Sequence, residues 1–304
     1  MSAVGTVLNA FTVDVEGWFN ILDLPAGPTR EEWADFEDRD TDHTFRLLDL
    51  LDRHGVRATC FMLGWTVDHR PGLLEEVVRR GHEVACHTYA HRLVYEMTPE
   101  ELREDLERAR DVIGRISGVQ PRGCRMPGFS LTAQTPWAFG VIADAGFDYD
   151  SSVFPGTRGH GGMPGGPTSP HFIDLPDGKR LREFPISVVR LLGRQVAYVG
   201  GGYLRLFPYR LIRRWVRQAN AAGVPVILYI HPRDIDPDQP RLPMPLKRRF
   251  KCYFNLRSTL GKLDRLLTDF RWGPAVEVLD RVLPTSTPSA GPARSDVDPA
   301  SGER

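Results

Sequence analysis

The chain has 304 residues and sets 39 Lys+Arg against 39 Asp+Glu, so its formal net charge is zero. That balance argues against a nucleic-acid binder, which needs clustered positive charge to displace counterions from phosphates; the one dense basic run, 247–251, reads as solvated surface. Apolar residues at 41% and charged residues at 26% are ordinary globular usage, and the length suits one large domain or two small ones.

No run approaches the ~18 consecutive apolar residues of a membrane span. Residues 1–9 have no basic segment ahead of their short apolar stretch, so no cleaved signal and a cytoplasmic location are expected. Cys60, Cys86, Cys124 and Cys252 are scattered, with no C-x-x-C pair, and read as reduced thiols without a chemical role.

In chain order, short runs rich in β-branched or aromatic residues at 7–15, 58–63, 83–86, 147–149, 181–186 and 224–230 read mostly as parallel strands. Amphipathic helical patterns lie between them at 41–54, 72–80, 98–116, 133–145 and 208–222. The clearest, 98–116, opens with a capping box of Thr98 and Glu101 and has Pro99 at its first helical position. Repeated βα units of this kind make an α/β fold with a parallel sheet, open or closed into a barrel. The Gly- and Pro-rich stretch 155–179 is too irregular for a simple connection and reads as a lid or groove wall. Residues 1–283 are expected to form one domain, including a small C-terminal extension, followed by a disordered Pro/Ser/Ala tail at 284–304.

The chemistry-bearing residues fall at strand ends. In Thr12-Val13-Asp14-Val15-Glu16-Gly17-Trp18, the period of two puts Asp14 and Glu16 on one face. Either they share a cation or a proton, or the strand is ending and both carboxylates reach water. His87 and His91, four apart after the 83–86 run, have the spacing of neighbours on a helical turn that grip one ion. Two His and one carboxylate leave an open position for water, the catalytic form of a zinc site. Arg125 and His231 also stand where a strand gives way to a loop, the rim on which α/β barrels assemble active sites. Of the aromatic residues near this rim, Trp18 and Phe129 are candidates to stack on sugar rings. His160 and His171 lack any partner spacing and read as surface.

These residues and four further motifs resemble the polysaccharide deacetylases with the NodB homology domain, carbohydrate esterase family four. The motifs are Tyr149-Asp150-Ser151-Ser152-Val153-Phe154-Pro155, Glu183-Phe184-Pro185-Ile186-Ser187, Gly201-Gly202-Tyr203-Leu204-Arg205-Leu206-Phe207-Pro208-Tyr209 and His231-Pro232. They are most similar to the branch associated with exosortase (PEP-CTERM) exopolysaccharide loci, and the resemblance runs from about residue 6 to about residue 283. It implies a distorted (β/α)7 barrel of the NodB type holding a divalent metal, zinc above all, with cobalt or nickel as substitutes. The implied ligands are Glu16, His87 and His91. Asp14 would be the general base, Arg125 would hold it ionised and oriented, and His231 would be the general acid, tuned by Asp150 or by Asp148. Many relatives have adjacent acids in the first motif, whereas here Val15 intervenes and the second acid is the longer Glu.

The expected activity is removal of acetyl groups from N-acetylated sugars of an exopolysaccharide or cell-envelope glycan. Gly128 would offer a backbone N–H to the oxyanion, and a protonated His231 paired with an ionised Asp14 would give a bell-shaped dependence of rate on pH. The partner is then an N-acetylated glycan. Rival readings on the same fold are an amino-sugar deformylase, an amidase opening a cyclic amide such as allantoin, and a carbohydrate-binding relative without turnover.

Overall fold

The computed structural model describes residues 7–22, 24, 27–157 and 161–285. The remaining residues, including His160 and most of the expected tail, lie outside the described set. The first strand, β1 (Leu8–Val15), is buried along all eight residues, as a strand covered on both faces must be. β2 (Thr59–Met62), β3 (Glu83–Cys86), β4 (Gly123–Cys124), β5 (Tyr149–Asp150), β6 (His171–Asp174), β7 (Arg180–Glu183), β8 (Val188–Leu191), β9 (Arg194–Ala197), β10 (Ile227–Ile230) and β11 (Arg271–Gly273) follow. Among the described residues, seven strands make one parallel ribbon in the order β10, β1, β2, β3, β4, β5, β7. This is the α/β architecture of a distorted seven-stranded barrel.

The ribbon is not closed by a ladder, because β7 carries the antiparallel β6 on its outer edge. The seam toward β10 is held instead by the Ile227 N–H donating to Ser187 Oγ at 2.9 Å and by a bridge between Gly200 and Tyr229. At Gly200 a Cβ would meet the Tyr229 ring at 2.3 Å, so only glycine lets the two backbones approach this closely.

The helices are α1 (Asp40–Arg53), α2 (Gly64–His69), α3 (Pro71–Arg79), α4 (Pro99–Ser117), α5 (Trp137–Asp144), α6 (Gly201–Leu206), α7 (Tyr209–Ala221), α8 (Leu246–Tyr253), α9 (Thr259–Asp269) and α10 (Ala275–Val282). α4 begins as its sequence requires. The Glu101 N–H donates to Thr98 Oγ1 at 3.2 Å, Glu101 Oε2 accepts from the Thr98 N–H at 2.8 Å, and Gly118 ends the helix at φ 70°. Leu102, Leu106, Ala109, Val112 and Ile113 form its buried stripe.

Several segments differ from the sequence expectation, among them α2, α6, α8, α9, α10 and β11, which were given no element above. The helix expected at 133–145 starts only at Trp137, after the Thr132–Thr135 turn and Pro136. The stretch 155–179 contains a strand, β6, paired to β7 by register rather than by its own propensity. Residues 188–197, given no element above, form a separate hairpin whose tip, Leu192-Gly193, takes φ values of 47° and 80°; two left-handed residues match the twist of the flanking strands. The C-terminal segment packs at the N-terminal end of the ribbon. There β11 pairs with Leu8–Ala10 of β1, and the Ala275 N–H donates to Thr59 Oγ1 at 2.7 Å. All four cysteines are free and buried.

His82, at the entry to β3, makes the fold sensitive to acid. Its Nδ1 accepts the Ala58 N–H at 3.1 Å, so a second proton on the ring would abolish that bond, and burial pushes its pKa down to about 4. The folded-state pKa lies below the unfolded one, so the unfolded chain binds the extra proton between the two values, and stability falls as pH drops from about 6.5 toward about 4. Equilibrium urea unfolding across this window is expected to show a loss of about 1–3 kcal/mol attributable to this ring. His82→Asn should flatten the slope, and an unchanged slope would refute the assignment.

Candidate functional site

β1, β3, β4 and β10 all deliver their chemistry at their C-terminal ends, and the side chains converge there. Asp14 lies in the last turn of pleat on β1, and Glu16 follows the strand. Their charge is met first by Arg125, which leaves β4 and is fully buried. Its Nη1 donates to Asp14 Oδ1 at 2.6 Å and to Thr12 Oγ1 at 2.8 Å, its Nη2 to Ser151 Oγ at 2.9 Å, and its Nε to the Ser151 carbonyl at 3.1 Å. A guanidinium out of water must have its donors answered, and this one is answered from β1 and from the segment after β5.

Glu16, His87 and His91 form a second cluster. They bring one carboxylate oxygen and two ring nitrogens within 4.8 Å of one another, and all three residues are buried. His87 Nε2 stands 3.4 Å and His91 Nε2 2.5 Å from Glu16 Oε2. His87 Nδ1 is 2.7 Å from the Arg125 carbonyl, which makes Nδ1 the protonated nitrogen and turns the lone pair of Nε2 toward Glu16.

The loop between the two histidines is not the helical turn that their spacing suggests. Thr88 and His91 take φ values of 62° and 54°, the left-handed region that a β-branched residue rarely enters. Neighbours hold the loop there. Asp105 of α4 accepts the Tyr89 and Ala90 N–H groups at 2.6 and 2.9 Å, and the Thr88 carbonyl accepts the Gly64 N–H at 2.8 Å.

The trio fits a divalent cation. His91 Nε2 is buried without a hydrogen-bond partner although a carboxylate oxygen lies beside it, the arrangement of two acceptors that need a positive charge between them. Burial alone would raise the Glu16 carboxyl, but the surrounding imidazoles of His91, His231 and His87 outweigh it and hold it well below the usual range. An anionic carboxylate with two imidazoles is the donor set that zinc-type ions take with an open position.

His231, directly after β10, completes the rim. Its Nε2 is 3.7 Å from Asp14 Oδ2 and 3.6 Å from Glu16 Oε1. The partner of its Nδ1 is Asp234 Oδ2 at 2.8 Å, not Asp150. Asp150 is turned inward, accepting from the Ser152 N–H at 3.1 Å and lying among Ser152, Cys124 and Glu183, where burial raises its pKa. Asp148 is spent on Arg122 at 2.6 Å. The expected tuning of His231 by Asp150 or Asp148 is therefore corrected to Asp234. The signal was present three residues downstream, where a polar residue at i+3 of a short helical turn folds back on its cap. Asp234 is in turn paired with the buried Arg205, which also donates to the carbonyls of Lys251, Cys252 and Phe254. Arg205 is the arginine of the Tyr203-Leu204-Arg205 motif.

Burial lowers His231 to about 4. The ring is thus neutral near pH 7, with its proton on Nδ1 toward Asp234 and a lone pair on Nε2 toward the carboxylates.

A cavity of about 70 Å³ is lined by Asp14, Glu16, His87, His91 and His231, with Gly128 and Phe129 on its wall. Gly128 is left-handed at φ 64°, and Phe129, at φ 54°, rests edge-on against Tyr229 with centroids 4.9 Å apart. Trp18 is not on the wall. It is buried against Phe19 and Phe36 and donates from Nε1 to the Glu37 carbonyl, so its role is packing and the stacking expectation is corrected. Arg233, whose Nε lies 3.9 Å from Glu16 Oε1, also lines the cavity and was not assigned from sequence.

The fold is shared with solved structures. The crystal structure of a putative polysaccharide deacetylase from Mycobacterium smegmatis superposes with a TM-score of 0.61 at 21% identity, covering 93% of this chain and 92% of that one. The Puue allantoinase gives a TM-score of 0.62 at 15% identity, covering 94% of each chain. In sequence, residues 28–149 match the family model for polysaccharide deacetylase. Residues 151–280 match a model described as a domain of unknown function, DUF3473. A peptidoglycan-N-acetylglucosamine deacetylase of Bacillus cereus is 31% identical over 100 residues, 33% of this chain and 36% of that protein. The chain thus spans about a third or less of the lengths of the first curated relatives it matches. His87, His91 and Arg125 lie within the first match and His231 within the second, while Asp14 and Glu16 precede both.

Removing Asp234 tests the inner layer of this site. Asp234→Ala would leave Arg205 buried without its carboxylate and should cost about 3–5 kcal/mol in urea unfolding. Asp234→Asn, which keeps an acceptor, should cost less. Equal stabilities for the two variants would contradict the pairing.

Proposed function

We propose that the protein is a metal-dependent hydrolase that removes acetyl groups from N-acetylated sugars of an exopolysaccharide or cell-envelope glycan. The reading rests above all on one observation. Glu16, His87 and His91 bring three ligand atoms within 4.8 Å of one another, and the Arg125-held Asp14 and the Asp234-held His231 line the same cavity beside them. The deacetylase match over residues 28–149 supports the acyl group and the sugar class. The motifs carrying Arg205 and His231 support the exopolysaccharide-linked branch.

Held by Glu16, His87 and His91, a zinc-type ion would supply Lewis acidity to the acyl oxygen and make a water molecule more acidic. The chain's own residues do the rest. Asp14 Oδ1 is occupied by Arg125, which leaves Oδ2, the oxygen nearer His231, to take the proton of the attacking water. His231, neutral at rest, takes up at Nε2 the proton that Asp14 Oδ2 received from water, which returns Asp14 to its carboxylate, and delivers it to the departing amine nitrogen, while Asp234 fixes the ring and stabilises the imidazolium. The hydroxyl ends on the acyl carbon, the C–N bond breaks, and the amine leaves neutral or protonated according to its own basicity. The wall at Gly128 and Phe129 faces the acyl group.

A complete set of competent side chains favours turnover over a purely carbohydrate-binding role. The full chain is expected to bind about one zinc or cobalt per molecule. It should release acetate from N-acetylated oligosaccharides, lose this on chelation and regain it on readdition of metal. Asp14→Asn and His231→Ala should each lower kcat by about 10²–10⁴ while metal content stays unchanged. His91→Ala should lose the metal itself. Near-normal turnover in the first two variants, or formate released in place of acetate, would overturn the roles or the substrate, respectively.

A further inference from the structure

Beside the metal cavity lies a second and much larger one of about 540 Å³. The two share His231, Arg233 and Arg248 as a common wall. That volume is in the range of sites that enclose a small-molecule group, here about one sugar ring with a substituent. Its charge is one-sided. Lys247 and Lys251, from α8, are exposed on its lining and form no ion pair among the described residues. Arg233 lines both cavities, and its Nε is buried with no hydrogen-bond partner, 3.9 Å from Glu16 Oε1. The lining's one acid, Asp234, is already neutralised by Arg205 and bound to His231. The basic run 247–251 is therefore more than solvated surface. α8 folds its lysines over a concavity, where low-dielectric walls focus their field. Leu206, Phe250 and Phe254 supply apolar contact on the same lining.

We infer that this cavity binds an anionic group, a phosphate or a carboxylate, carried by the glycan next to the sugar being deacetylated. The inference rests on the proposed function for the identity of the ligand's sugar, but the cavity's preference for an anion stands on its own charges. The shared chemistry has two sources: a phosphate-linked sugar precursor and a uronic acid within a polymer.

The test uses the full-length chain after chelation, so that no metal competes for the anion, and calorimetric titration with inorganic pyrophosphate, glucuronate and glucose. Saturable binding of pyrophosphate or glucuronate but not of glucose is expected, weakened about tenfold or more in a Lys247→Ala/Lys251→Ala double variant. Stronger binding of pyrophosphate assigns the phosphate source, and stronger binding of glucuronate the uronate. The double variant should keep the thermal unfolding midpoint of the parent, because both lysines are exposed. Absence of anion binding, or binding unaffected by the double substitution, overturns the inference. Because the readout is binding by chelated protein, a chain lacking deacetylase activity could still pass this test, and an active deacetylase could still fail it.

Discussion

The ion pair between Arg125 and Asp14 is the contact on which the rest of the rim depends. A guanidinium with no exposed surface is tolerable only if its fork is answered, and here the answers come from Asp14 and Thr12 on β1 and from Ser151 after β5. Strands that are not neighbours in the ribbon are thereby fixed relative to one another. Breaking one side of such a pair costs about 3–5 kcal/mol, because the other charge stays buried. The same guanidinium stacks near Phe61 and Phe129, at 4.1 and 5.6 Å from their ring centroids, and its carbonyl sets the tautomer of His87. One residue thus connects the base side of the cavity to the ligand side.

Around that contact the protein holds conformations that its backbone would otherwise avoid. Thr88, His91 and Phe129 are left-handed without being glycine, each at a cost of about 1–3 kcal/mol that surrounding contacts must offset. Asp105 offsets it for the histidine loop by accepting two consecutive amides, which places a helix carboxylate behind residues it never touches chemically. Clustering of these outliers at one rim is what a preformed site requires.

The segment after residue 200 contributes on two levels. Its β11 and α10 lie at the N-terminal end of the ribbon, and Trp272 packs edge-on against Phe11 of β1. Its arginine motif reaches the opposite end: Arg205 gathers carbonyls around residues 251–254 and braces Asp234, which braces His231. The acid–base histidine is therefore positioned by the same part of the chain that walls the larger cavity, so chemistry and ligand selection share a scaffold.

What was legible in the sequence was whatever local pattern dictates. Apolar runs overlapped the strands, Thr98 and Glu101 began α4 where the capping box lies, and the acids, histidines and arginine stood at strand termini because a βα rhythm puts them there. Spacing misled where geometry is not local: four residues between His87 and His91 suggested a helical turn, but the loop is shaped by Asp105 on another element. Trp18 looked like a sugar platform because an aromatic residue reads the same in a core and on a rim; only the neighbours Phe19 and Phe36 distinguish them. The resemblance points to Asp150 or Asp148 as the partner of His231, whereas the acid three residues away, Asp234, holds it. The chain by itself determined strands, helices and the kinds of chemistry available. Which charges meet, which histidine nitrogen is free, and that α8 turns its lysines over a cavity were decided by tertiary packing. Burial and the pairing of distant charges are properties of neighbours that a linear order does not specify.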